Sequence, residues 1–129
     1  MPTLNSIVAN NSAAKFAEVL PKLYAQENLE KQICFLKFFL PGTGFTWYIM
    51  EFDGEDTFFG YANLGDTQYA ELGYSSLSEL SGLQHGFCRV ELDKQFVPAY
   101  LADCKKHEED NSRPLTPVQS AEWVVLFTK

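Results

Sequence analysis

The sequence predicts an α+β domain in which four strands form an antiparallel meander sheet covered by short helices. Two observations carry this reading. Three runs of strand length, "ICFLKFFL" (33–40), "FTWYIMEF" (45–52) and "TFFGYANL" (57–64), are rich in aromatic and branched residues. They are joined only by "PGTG" and "DGED", and connections that short can link only antiparallel neighbours. A third observation, helical spacing of apolar residues on either side of these runs, supplies the helices. The 129 residues suit one domain over 1–129, large enough to bury a core without a disulfide or metal.

Over 12–30, Phe16, Val19, Leu20, Leu23 and Tyr24 form a helical stripe. Pro21 interrupts it, because proline inside a helix removes a donor and clashes with the preceding turn. A fresh helical turn is expected to start there. Both faces of 33–40 are apolar, which places that strand centrally. In an antiparallel pairing of 45–52 with 57–64, the odd-numbered Trp47 and Tyr61 are expected to share a face. The stretch "GDTQYAELGY" (65–74) reads as a long loop bracketed by Gly65 and Gly73. Ser76 and Glu79 have the spacing of a capping box that opens a helix over 77–83. "FCRVELD" (87–93) alternates as a fourth strand. Pro98 suits the first turn of a helix over 98–106, with Tyr100, Leu101 and Cys104 inward. After a polar linker (107–114), a last helix over 117–127 places Trp123, Val124 and Phe127 on one side.

Composition limits the function classes. Ten basic and seventeen acidic side chains leave a net charge of −7. Phosphate backbones repel such a surface, so direct nucleic-acid binding is disfavoured. No apolar run has the length of a membrane span, and "MPTLNSIVANNSAAK" lacks the order of a signal peptide. A cytoplasmic protein is expected. Cys34, Cys88 and Cys104 are too widely spaced for a zinc motif and read as free thiols.

No motif carries catalysis plainly. "GTGFTW" lacks the Gly-Lys-Ser/Thr ending and the following helix of a phosphate loop, and its residues suit a hairpin turn. Asp53, Glu55 and Asp56 could offer oxygen ligands to a hard cation, yet Asp and Gly are also the residues of a solvated turn. His85 and His107 stand in no metalloprotease pattern, and no nucleophile elbow is present. No metal and no cofactor are expected. The more suggestive set is aromatic and polar: Trp47, Tyr61, Tyr69 and Tyr74 accompany Asn63, Asp66, Gln68 and Glu71. Such side chains suit either a binding surface or a sheet face under a helix.

The ordered set Lys37, Phe38, Phe39, Gly44, Thr46, Trp47, Phe59, Gly60, Leu64, Gly65, then Glu71-Leu72-Gly73-Tyr74 and Ser76-Leu77 with Glu79-Leu80, resembles the signature of domain-of-unknown-function family 2958. The resemblance covers about 33–106 and leaves 12–30 and 107–129 aside. It implies a small bacterial protein of plasmids and other mobile elements, and no particular activity.

These readings converge on an acidic, non-enzymatic interaction protein of a mobile element. Its partner is expected to be a protein with a basic surface, such as a host DNA-binding or defence protein that the chain inhibits. Trp47, Asp53, Glu55, Asp56, Asp66, Tyr69, Glu71 and Tyr74 are the candidate contact residues. The alternative is a small hydrolase with Asp66 and Glu71 as acid and base in an aromatic-lined pocket.

Overall fold

The computed structural model describes residues 13–128; Ser12, the first residue of the expected 12–30 helix, lies outside them. In chain order the elements are α1 (Ala13–Val19), β1 (Ile33–Cys34), β2 (Leu36–Phe39), β3 (Phe45–Phe52) and β4 (Thr57–Leu64). A 3₁₀ turn at Thr67–Tyr69 leads to β5 (Glu71–Ser76), α2 (Leu77–Gly82), β6 (Gln84–His85), β7 (Cys88–Arg89), β8 (Glu91–Leu92) and β9 (Ala99–Tyr100). The chain ends with α3 (Leu101–Glu109), α4 (Ser120–Trp123) and a 3₁₀ stretch at Val124–Thr128. The α+β class and the meander hold, but the antiparallel sheet has five strands, in the order β5-β4-β3-β2-β8.

Several expectations are corrected. Residues 71–74 of the expected 65–74 loop are strand: β5 pairs with β4 from Ala62↔Glu71 to Thr57↔Ser76. The expected first strand is split at Phe35, so that β1 leaves the main sheet and pairs with β9. That pairing also displaces the expected 98–106 helix. Ala99 and Tyr100 are occupied by the β1 ladder, Leu101 N–H bonds to the Gln32 carbonyl at 2.8 Å, and helix begins only at Leu101. The expected 87–93 strand is broken as well. Gly86, with φ +59°, turns β6 into β7, and only Glu91 and Leu92 reach β2. After Pro21 the backbone forms turns instead of a second helix, with Tyr24 at φ +70°. The last expected helix, 117–127, is α-helical only over Ser120–Trp123, and the 3₁₀ stretch that follows buries Leu126 while leaving Val124 exposed.

The register defines two faces. Phe38, Trp47, Ala62 and Glu71 lie in one cross-strand row, and Lys37, Tyr48, Tyr61 and Leu72 in the next, on the opposite face. On the first face Phe16 of α1 meets Phe38, Phe52 and Phe58 edge-on, with ring centroids 5.8, 6.4 and 5.8 Å away. On the second, Leu101 and Cys104 of α3 pack with Tyr48, Met50 and Tyr61.

Trp47 and Tyr61 therefore face opposite ways, against expectation. The cause is a bulge. Near the turn the hairpin runs in the register Glu51↔Phe59, in which odd residues oppose odd ones; beyond Met50 the register is Ile49↔Gly60. One extra residue moves every later side chain to the other face.

Candidate functional site

Asp66, Tyr69, Glu71 and Tyr74 come together. All four line one open groove of about 280 Å³ on the outer side of β4 and β5. The chain leaves β4 at Leu64, turns at Gly65 (φ +96°), and enters the 3₁₀ turn, which Asp66 caps by accepting the Gln68 N–H at 3.0 Å. That turn holds Tyr69 out in solvent, 73% exposed. β5 then presents Glu71 and Ser75 on one face and Leu72 and Tyr74 on the other. Tyr74, 58% exposed, packs its ring 5.2 Å from that of Phe59. Its hydroxyl donates to the Tyr24 hydroxyl at 3.4 Å, and this bond, with some help from desolvation, holds the Tyr74 phenol above its ordinary range.

Trp47 is not at this groove. It is buried in the first-face core, with its ring edge-on to Phe45, and Ala62 stands between it and Glu71 in the same row.

The other acids lie apart. Asp53, Glu55 and Asp56 occupy the β3–β4 turn, at the far end of β4 from Asp66. Seven residue steps of about 3.3 Å separate the two ends, roughly 23 Å. Within the turn, Asp53 Oδ1 accepts the N–H groups of Glu55, Asp56 and Thr57 at 2.8, 2.9 and 3.0 Å. Asp56 takes the Ser78 N–H and hydroxyl at 2.9 and 3.0 Å, and Ser76 Oγ accepts the Glu79 N–H at 3.0 Å. These bonds tie the turn to the start of α2. Among the described residues, no three His, Cys, Asp or Glu side chains converge to hold a metal ion.

Partial desolvation pushes the Asp53 carboxyl up, and the three backbone N–H groups outweigh it and hold it below its ordinary value of 3.8. A group whose folded pKa lies below its unfolded one contributes stability above the unfolded value and loses it as pH falls through the folded value. Asp53→Asn is therefore expected to lower the thermal midpoint slightly at neutral pH, with the difference starting to shrink near pH 3.8 and vanishing only once pH has fallen through the lower folded value. The effect is small because solvent screens the carboxylate. Melting curves of both proteins across this range are the check.

Sequence reasoning missed a second polar cluster, on the α3 side of the sheet. Tyr48 hydroxyl donates to Glu108 Oε2 at 2.7 Å, and Asn63 Nδ2 donates to Glu108 Oε1 at 2.8 Å. The Lys37 and Lys105 ammonium groups lie 5.5 Å from the Tyr48 and Tyr61 ring centroids respectively. Burial first, and then the Glu108 bond, push the Tyr48 phenol far above its ordinary range. It stays a neutral donor, and both Glu108 oxygens are occupied, so the cluster clamps α3 to the sheet. The sequence separations of 60 and 45 leave no spacing signal to find it by.

A family model described as "Protein of unknown function (DUF2958)" matches residues 7–105. The chain belongs to this family. The match begins well before residue 33, so α1 is part of the family's extent, and it ends within α3, before Glu108. No curated protein and no solved structure matches the chain. Among the described residues no helix is long and apolar enough to cross a membrane.

Proposed function

We propose that this chain is an acidic, non-enzymatic protein-interaction module that binds a partner with a basic surface through the groove beside β5. The observation that carries this reading is that Asp66, Tyr69, Glu71 and Tyr74 line one open groove, with both tyrosines in solvent. Exposed aromatic bodies beside carboxylates are the chemistry of a contact surface. The net charge of −7 favours encounter with a basic partner. The family resemblance adds the setting, the cytoplasm of a bacterium carrying a mobile element. A host DNA-binding or defence protein fits, because its DNA groove is basic, and occupying that groove would inhibit it.

Asp53 and Asp56 have duties within their own turn, so the groove acids are the sharper probe. Affinity capture from a bacterial lysate compares the native chain with an Asp66→Asn/Glu71→Gln variant; Asn keeps the cap on the 3₁₀ turn. The expected result is a discrete protein that salt releases and the variant recovers at least tenfold less. Equal recovery by both proteins would remove the groove from the account.

One observation favours a second reading. Asp66 and Glu71 share the groove, as the acid and base of a hydrolase must. Turnover of an ester, phosphoester or glycoside that either substitution abolishes would establish it. Binding without turnover supports the interaction module.

A further inference from the structure

The groove beside β5 is one of two, and both border a strand whose outer edge is unpaired among the described residues. β5 ends the sheet. The groove of Asp66, Tyr69 and Glu71 lies toward the strand's first face and reaches over the edge to Leu72 and Tyr74; on its second face lies another, of about 200 Å³, where Leu72 and Tyr74 meet Tyr24, Phe59 and the polar Glu27, Gln32 and Glu51. Natural edges are guarded by lysine, proline, bulges or short length. The six residues of β5, ELGYSS, have no lysine and no proline, and their register with β4 is unbroken. The opposite edge, β8, has only two residues.

The direction of the free backbone groups follows from one bond. Leu77 N–H donates to the Asp56 carbonyl at 2.7 Å, continuing the β4–β5 register one step beyond Thr57↔Ser76. Antiparallel ladders alternate closely bonded and non-bonded pairs. Counting back from Asp56 and Leu77, the bonded pairs are Phe58 with Ser75, Gly60 with Gly73 and Ala62 with Glu71. The N–H and C=O groups of Leu72 and Tyr74 consequently point away from β4, toward the free edge.

Building on the interaction reading above, we infer that the partner engages as an extended segment that adds a sixth strand along β5, with basic side chains in the first-face groove and apolar ones in the second. Alternate side chains of a strand fall on opposite faces. The added strand would take its backbone bonds from Leu72 and Tyr74 and its sequence preference from the two grooves. Carboxylates Asp66 and Glu71 select lysine or arginine on one face. On the other, Phe59, Leu72 and Tyr74 offer apolar contact to the added strand; Glu27, Gln32 and Glu51 line the same groove, and both Glu51 oxygens are already held by the N–H groups of Tyr24 and Gln26. Gly73, with nothing within 4 Å of where a Cβ would stand, leaves the centre of the first face open.

A capped peptide of alternating lysine and valine is the probe, with a glutamate–valine peptide as control. Leu72→Pro removes an N–H that the β4 ladder does not use, so the fold should tolerate it as edge strands tolerate proline. The expected results are protection of the Leu72 and Tyr74 amides from hydrogen exchange on adding the lysine peptide, and at least tenfold weaker binding by Leu72→Pro and of the glutamate peptide. Amide protection is read on the native chain, so it stands even where the proline variant folds poorly. No binding at millimolar peptide, or protection elsewhere, overturns the inference. So does a dimer of the native chain that Leu72→Pro dissociates, which would give the edge to a second copy. Binding that falls in Asp66→Asn/Glu71→Gln without protecting Leu72 or Tyr74 overturns strand addition alone and leaves the acidic groove in place.

Discussion

Gln26→Leu is expected to destabilise the fold by about 3–5 kcal/mol, much of the 5–15 kcal/mol available to a domain. Gln26 is wholly buried. Its amide donates to the carbonyls of Ile33 and Met50 at 2.9 and 3.1 Å, and its Oε1 accepts the Ile33 N–H at 2.6 Å. Its own N–H and that of Tyr24 are held by Glu51 at 2.9 and 2.8 Å. Leucine would approximate the volume and leave buried backbone groups of Ile33 and Met50 without this partner, at roughly 1–3 kcal/mol each. Chemical denaturation gives the number. A loss below about 1 kcal/mol would mean that water or other groups replace the amide.

Gly60→Ala is expected to cost about 3 kcal/mol, at the upper end of overpacking. A Cβ on Gly60 would stand 2.0 Å from the Tyr48 carbonyl oxygen and 3.1 Å from Ile49 Cα. Both obstacles are backbone, in the strand that carries the bulge, so no side-chain rotation relieves the clash. Gly73→Ala provides the contrast, since its Cβ would meet nothing within 4 Å. Thermal midpoints that fall on the order of 10 °C for the first and little for the second would bear this out.

How much the sequence disclosed depended on the range of the interaction. Pro41, Gly42 and Gly44, and Asp53 with Gly54, announced their turns because turn chemistry is local, and the three main strands followed from them. β5 stayed hidden because an edge strand has one neighbour. The acid and glycine of "AELGY" look like loop, and only pairing with Thr57–Ala62 makes them strand. The bulge at Met50 left no mark in the sequence, yet it reversed the faces of Trp47 and Tyr61. Gln26 sat in a stretch with helical spacing, and its partners at 33, 50 and 51 come from strands that no local pattern links to it. The grouping of Asp66, Tyr69, Glu71 and Tyr74 was legible because they are close in sequence. Their separation from Asp53, Glu55 and Asp56 was legible as well, because the expected strand 57–64 already sets the two groups at its opposite ends.

The most direct measurement of the central claim is a hydrogen-exchange footprint of the native chain with and without the protein it captures. Protection is expected to concentrate in residues 66–76, with the turn at 53–56 and the residues of α3 unchanged. Protection centred on that turn or on α3, with 66–76 unaffected, would contradict it.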